Sequence, residues 1–340
     1  MSAGAGTPLA KIEAMLAERQ QELGFEPADY GALLGGEPGR QTIGGVFAAN
    51  ISGPRRLKSG AARDHLLGLT CVTGRGQVMK TGGRVVKNVT GYDLCKLLAG
   101  SFGTLAIMSR LTFKVVPAAE TAATLLVMDL PEVGLLACLR AAMGTAYDVS
   151  GAAMLPMLSA GRSTVEAVHR EGRAVACLRL EGPEPSVAYR LTRLQEALAR
   201  PGARFVTVAK ADSRTLWAEI RDVRLIVPER PLWRLSVAPT AASELAGWLA
   251  EMSPERCFDW AGGLIWLAPN STWALEAELI RRALDGRGGH ATLVRAPLEM
   301  REMVPVFEPQ PPALRALAAR VKASFDPKGI LNPGRMADAG

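Results

Sequence analysis

The sequence predicts an α+β protein of two domains, and three observations carry that prediction. The chain has 340 residues, 48% of them hydrophobic, enough to bury more than one core. Up to Pro117, glycine-bearing loops separate a few strand and helix signals. From Ala118 onward, helix-period and strand-period segments alternate, the pattern of an antiparallel sheet with helices on one face. The expected domains are 1–117, 118–310, and a closing segment, 311–340, that returns to the first.

The first element is a helix, with Thr7 as N-cap, Pro8 at the first helical position, and Leu9, Ile12, Met15 and Leu16 marking one face to about Leu23. Ahead of it, Gly4-Ala5-Gly6 is terminal and expected to fray. Glu26 to Ile51 is loop-rich, and Gly44-Gly45 can open a helix. The small residues from Gly44 to Ala49 permit close backbone approach, to a ligand or to a sheet. Leu66 to Thr73 and Val78 to Thr81 read as a hairpin around Gly74-Arg75-Gly76-Gln77. Asp93 caps a short helix, Leu94 to Ala99. Gly100-Ser101-Phe102-Gly103-Thr104 breaks that helix, and Leu105 to Val116 follows as a strand stopped by Pro117. Two glycines three apart suit a ligand-facing turn or a plain helix-to-strand turn.

Past Ala118, Thr124 to Met128, Val149 to Leu155 and Arg173 to Glu181 read as strands. Pro131 to Met143 and Pro185 to Arg200 read as helices with apolar stripes. The alternation continues through Leu216 to Ile226, Leu232 to Ala238, Thr240 to Met252, Leu264 to Leu267, Trp273 to Leu284 and Ala291 to Val294. Pro311 to Ser324 is the last helix.

Composition narrows the function. The net charge is +7, but the basic residues are dispersed and only 5% of residues are aromatic, which argues against a nucleic-acid surface. One denser cluster, Arg55, Arg56, Lys58 and Arg63, is either a solvated turn, a docking face for an acidic partner, or help with phosphate or carboxylate charge. Five scattered cysteines without a C-x-x-C argue against zinc, iron–sulfur and disulfide frameworks and read as buried thiols in a reducing compartment. No apolar run approaches the ~20 residues of a membrane span, and the first residues do not read as a signal peptide. No G-x-G-x-x-G follows a strand and no Walker A string exists, which disfavours NAD and ATP. Of the three histidines, His65 and His169 read as surface residues and His290 as a hydrogen-bonded structural one; no metal site is expected.

The string G-Y-D-L-x-K-L-x-x-G-S-x-G-T-L, ending at Leu105 within Lys87 to Pro117, resembles the signature of the vanillyl-alcohol-oxidase-type, or PCMH-type, FAD-binding domain. The resemblance is to its glycolate oxidase and D-lactate dehydrogenase branch. Thr42-Ile43-Gly44-Gly45 with Ala48-Ala49-Asn50, and the C-terminal F-D-P-K-G-I-L-N-P-G from Phe325 to Gly334, match the same family. G-P-R-R from Gly53, D-W-A-G-G from Asp259 and G-G-H-A-T from Gly288 resemble the E subunits of bacterial glycolate oxidase.

The resemblance implies a PCMH-type FAD domain with an α+β cap. It implies FAD held by Thr42, Gly44, Gly45, Asn50, Gly100, Ser101, Gly103, Thr104, Leu105, Ile107 and Asn332. It implies a catalytic FAD subunit and an iron–sulfur subunit as partners, with glycolate oxidised to glyoxylate by the assembly. The expected location is cytoplasmic, or peripheral at the inner membrane through those partners. The family also has a pyrophosphate-cradling N-terminal lobe, which the sequence is expected to lack. The turn departs from the family at Phe102, where Glu is frequent, and at Ala106, where Gly is frequent. Two other readings stay open: a stand-alone 2-hydroxy acid flavoenzyme, and a structural subunit that has lost FAD.

Overall fold

The computed structural model describes every residue except 86–90, 171, 228, 253–254, 271–273 and 337–340. The first residues of the stretch Lys87 to Pro117, Lys87 to Thr90, which precede the signature string, therefore lie outside the described residues, as does Trp273. The chain divides into two units. The first comprises Met1–Gly53, Ser59–Ala118 and Pro309–Gly340; the second comprises Pro54–Lys58 and Ala119–Glu308. The short basic segment is thus part of the second unit, whereas the sequence placed it in the first domain.

The first unit is built on a four-stranded antiparallel sheet. Its strands are β1 (Ser2–Gly4), β3 (Leu66–Thr73), β4 (Val78–Gly82) and β5 (Ala106–Phe113), in the order β1-β5-β3-β4. A two-residue ladder joins β2 (Gln21–Glu22) to β6 (Val116–Pro117). On β5, Ala106, Leu111 and Phe113 are buried while Ile107 and Arg110 are exposed. The core gathers Ile12, Phe25, Ile43, Phe47, Leu98 and Phe113.

Three expectations fail here. The first helix runs only over Leu9–Ala17, because Gln20 takes a left-handed φ of 52° and the next two residues enter β2. The N-terminus is ordered: β1 pairs with β5, the Ala5 N–H donates to Ser109 O at 2.9 Å, and the Met1 amino group donates to Phe113 O at 2.9 Å. That pairing satisfies the edge of β5 through backbone alone, so no side-chain pattern announces it. His65 is buried, with Nε2 2.8 Å from Ser59 O and its ring 5.2 Å from Phe25. Burial holds its pKa below the usual histidine value.

The second unit is an eight-stranded sheet. Its strands are β7 (Thr121–Met128), β8 (Gly151–Leu155), β9 (Val175–Gly182), β10 (Arg204–Ala209), β11 (Leu232–Ser236), β12 (Arg256–Asp259), β13 (Leu264–Leu267) and β14 (His290–Arg295). They run β10-β7-β9-β8-β12-β13-β11-β14, with every ladder antiparallel. On one face, Leu125, Met154, Leu178, Trp233, Phe258 and Ile265 share a core with residues of the helices Glu132–Met143, Glu184–Leu198 and Ala241–Met252.

The helices are not confined to that face. Helix Lys210–Arg221 lies on the other: Trp217 Nε1 donates to Thr124 Oγ1 at 2.9 Å, and the Thr124 and Ser213 hydroxyls are 2.7 Å apart. Thr124 alternates with the core-facing Ala123 and Leu125, so it points the opposite way. A Cβ on Gly151 would meet the Trp217 ring at 2.8 Å. Among the described residues, no helix is long and apolar enough to cross a membrane.

Candidate cofactor site

The candidate residues meet where a short helix ends. Thr42 caps helix Ile43–Ala49 by accepting from the Gly45 N–H at 3.2 Å. Asn50 closes the helix in a left-handed conformation and its Oδ1 accepts from the Arg63 N–H at 2.9 Å. The last carbonyls of a helix need donors, and the turn 100–104 supplies them. The Gly100 N–H donates to Phe47 O at 3.0 Å and the Phe102 N–H to Ala48 O at 2.8 Å.

The turn is also tied to itself. Ser101 Oγ donates to Leu98 O at 2.8 Å and Thr104 Oγ1 to Ser101 O at 2.7 Å. The backbone N–H groups of Ser101 and Thr104 take the same two acceptors. Of the five turn N–H groups, only that of Gly103 has no acceptor among the described residues. Gly100, Phe102 and Gly103 have φ values of 83°, 51° and 69°, so the Phe102 backbone is strained.

The C-terminal segment clamps this turn. Asn332 Nδ2 donates to Phe102 O at 2.7 Å, and the Arg335 guanidinium lies 5.7 Å from the Phe102 ring. Lys322, on helix Pro312–Phe325, donates from Nζ to Thr104 O at 2.7 Å, Leu331 O at 2.8 Å and Asp326 Oδ2 at 2.6 Å. Asp326 is 2% exposed and also accepts from the N–H groups of Ile330 and Leu331. Burial pushes its carboxyl pKa up, but the Lys322 ammonium and those N–H donors outweigh burial and hold it below the ordinary range. A Cβ on Gly74 would lie 2.1 Å from Asp326 Oδ1. Lys322 and Asp326 were not among the predicted site residues; their i, i+4 spacing at the end of an amphipathic helix was the available signal.

The remaining candidates separate. Gly44 and Gly45 stand at the start of helix Ile43–Ala49 rather than beside the turn, which docks on its end. A Cβ on Gly44 would lie 2.7 Å from Ala5 O. Packing against β1's continuation accounts for that glycine without a ligand. Leu105 is 8% exposed in the core, while Ile107 is 59% exposed. Ala106 is buried, so its Cβ adds to the core rather than to the surface. Tyr92 is exposed at 94%.

In the second unit, the basic segment is neither a solvated turn nor a docking face at Arg55. That guanidinium grips Glu181 through Nε at 3.0 Å and Nη2 at 2.6 Å, and Arg179 Nε is 3.4 Å from the same carboxylate. Burial pushes the Glu181 carboxyl up, but Arg179 and Arg55 together hold it at about 2. Lys58 pairs with Asp148. His290 makes no hydrogen bond through its ring among the described residues, so it is not the hydrogen-bonded residue expected. His169 is exposed. All five cysteines are buried and free, and among the described residues no group of three or more His, Cys, Asp or Glu side chains could hold a metal.

A clamped, Cβ-poor turn with one available N–H, beside the exposed Ile107, fits a flat ligand carrying hydrogen-bond acceptors. Residues 1–82 match the family described as FAD binding domain, and residues 307–336 match the C-terminal domain of FAD linked oxidases. The protein is therefore of the FAD-linked oxidase class, whose cofactor is FAD. It is 30% identical over 338 residues to glycolate oxidase subunit GlcE of Escherichia coli (strain K12), spanning 99% of this chain and 81% of that one. The chain belongs to this family of glycolate oxidase E subunits.

It is also 28% identical to glycolate oxidase subunit GlcD of Bacillus subtilis (strain 168), over 87% of this chain and 68% of that one. A D-lactate dehydrogenase of Anaerostipes hadrus is 37% identical over 108 residues, which are 31% of this chain and 23% of that one. Among solved structures, alkyldihydroxyacetonephosphate synthase superposes with a TM-score of 0.66 at 16% identity, over 98% of this chain. The chain spans 63% of that protein's length, and the likeness is one of fold: a PCMH-type FAD domain with a mixed helix and antiparallel-sheet cap.

Proposed function

We propose that this chain is the FAD-holding subunit of a complex that oxidises glycolate to glyoxylate. When bound, FAD would supply the two-electron acceptor that oxidation of a hydroxyl-bearing carbon requires. This chain's part is to bind and orient that group. The Gly103 N–H would donate to it, Gly100 and Gly103 would leave room for it, and Asn332 and Lys322 hold the turn still. Thr42 and Asn50 fix the two ends of the supporting helix, Ser101 and Thr104 brace the turn from within, and Ile107 offers an apolar surface on β5.

The reading rests on one observation above the others, the Gly103 N–H left over in a turn whose other N–H groups are spent. Names of the relatives support a multi-subunit assembly. We assign the partners as a catalytic flavin subunit and an iron–sulfur subunit, in the cytoplasm or at the inner membrane through them. The test is co-expression of the three chains, followed by the visible spectrum of this chain after gel filtration. A flavin spectrum that stays with the chain, and glycolate-dependent bleaching in the assembled complex, are the expected results. A colourless chain that gains no melting temperature from added FAD would overturn the reading, since a ligand at ~100 times its Kd adds ~2.7 kcal/mol.

A further inference from the structure

The eight-stranded sheet ends in β10 on one side and β14 on the other, and the two edges are finished differently. The β14 edge is closed from within the chain. The Leu293 N–H donates to Val306 O at 2.8 Å, and the Ala291 N–H to Glu308 Oε2 at 3.1 Å. The β10 edge has no such cover. An antiparallel ladder takes the backbone groups of every other residue toward one neighbour, so half of β10 turns its N–H and C=O groups away from β7. From Phe205 to Val208, no described residue outside β7 takes up those groups.

Sheet edges are ordinarily blunted by lysine, by proline, by a bulge or by being very short. β10 carries none of these devices. It reads Arg-Phe-Val-Thr-Val-Ala over six residues, and its register with β7 is unbroken from Arg204 opposite Met128 to Ala209 opposite Ala123. Phe205 and Val206 are partly buried and Thr207 is exposed. A regular edge of β-forming residues with idle backbone groups takes an extended strand.

Charge selects which strand. At the Arg204 end, Arg204 and Arg173 flank Asp129, two cations to one anion. At the Ala209 end stand Glu120, Glu184 and Asp212 with Lys210 and Arg214, three anions to two cations. A second copy of β10 laid antiparallel on the first sets each end beside the opposite end of its partner, net positive beside net negative. A parallel copy would set like beside like. Two-fold pairing of this kind also satisfies both edges with one set of contacts.

The same charges place the axis. Side chains directly opposite each other share a face of the joint sheet, so the two-fold passes through a residue. On Thr207 it would set Arg204 against Lys210. On Val206 it sets Arg204 against Val208 and Phe205 against Thr207.

We propose that the β10 edge binds a second copy of this chain, antiparallel and centred on Val206, so that one sheet runs through both copies. This goes beyond the flavin reading and does not depend on it. The test is sedimentation of the full chain from ~1 to ~100 μM. A reversible dimer, of twice the chain's 36.1 kDa, is the expected result. Thr207→Lys adds an edge-blunting charge at an exposed position. It is expected to raise the dimer Kd ~10-fold or more and to leave the far-UV circular dichroism unchanged.

Should that variant fail to fold, cross-linking decides. Val206→Cys puts two thiols across the axis with Cβ atoms ~4.5–5.5 Å apart, whereas Thr207→Cys puts them on a diagonal, ~7–8 Å apart and beyond disulfide reach. The five native cysteines are buried and do not compete. Mild oxidation should therefore yield a covalent dimer of Val206→Cys and not of Thr207→Cys. A monomer at every concentration, a dimer that Thr207→Lys leaves intact, or the reverse order of cross-linking would each overturn the proposal. So would a Val206→Cys cross-link to a co-expressed partner subunit in preference to a second copy.

Discussion

Asn332 donates its side-chain amide to the carbonyl of Phe102 at 2.7 Å, and the same nitrogen sits 2.9 Å from where a Cβ on Gly103 would stand. One side chain thus fixes the strained residue of the turn and closes the space beside its glycine. Asn332→Ala removes an exposed hydrogen bond, so unfolding in urea should shift by only ~1 kcal/mol. Flavin per chain after gel filtration should fall much further. Full flavin retention in that variant would separate the clamp from cofactor binding.

Gly103→Ala meets two obstacles, a φ of 69° and the Asn332 amide. Backbone strain alone is worth ~1–2 kcal/mol. Combining it with Asn332→Ala takes away the obstructing atom, so the double variant should be more stable than the sum of the single losses. A coupling of ~0.5–1 kcal/mol in chemical denaturation is expected. Strict additivity would show that the amide moves aside at no cost.

Lys322→Met withdraws the cation that joins helix Pro312–Phe325, Thr104 and the 326–331 loop. Asp326, buried and deprived of its ammonium, then favours the protonated form. The variant should melt at a lower temperature, and its C-terminal segment should be cut by protease under conditions where the parent resists. Asp326→Asn should show the same protease sensitivity. Resistance equal to the parent in both would remove the clamp from the stability of this segment.

Glu181 gives the second unit an acid-labile component. Its carboxyl is at about 2 in the fold against an ordinary 4.5. A depressed carboxyl stabilises above its unfolded pKa, and that contribution fades as pH falls from about 4.5 toward 2. The contribution is on the order of 3 kcal/mol for this largely buried group. Glu181→Gln should therefore lower the melting temperature at neutral pH and flatten its decline in acid. Arg55→Glu should destabilise the unit at every salt concentration, in contrast to the salt-dependent weakening of association expected of an exposed interface charge.

Gly44→Ala tests the helix start. The new methyl would lie 2.7 Å from Ala5 O and 2.8 Å from Ala5 Cβ, and overpacking of this kind costs ~1–3 kcal/mol. The loss should appear in flavin-free protein, as a lower melting temperature. A normal melting temperature with lost flavin would return Gly44 to the cofactor.

Local signals made part of this fold legible. β13 spans the predicted Leu264–Leu267, and β3 and β4 follow the predicted hairpin because a tight glycine turn and alternating side chains fix both register and length. Ser2–Gly4 carried no such signal, since an edge strand of small residues is chosen by the groups it pairs with. Helix Lys210–Arg221 was misplaced because its buried face includes Ser213 and Glu219, which break an apolar period. Gly44 and Gly103 look alike in the string; their neighbours, Ala5 for one and an idle N–H for the other, tell them apart. Arg55 reads as surface in a basic run because the carboxylate it grips is 126 positions away.

The return of Pro54–Lys58 to the second unit means that neither unit is a continuous stretch of sequence. A gene fragment coding for 119–308 alone would deliver a sheet in which Glu181 has lost its bidentate arginine and Trp260 the stacked Arg56. Exchange of this cap between relatives by a single crossover pair would meet the same fault, whereas grafts that carry the five-residue loop along would not. Recombination within the family is thus constrained by a segment too short to register as a domain at all.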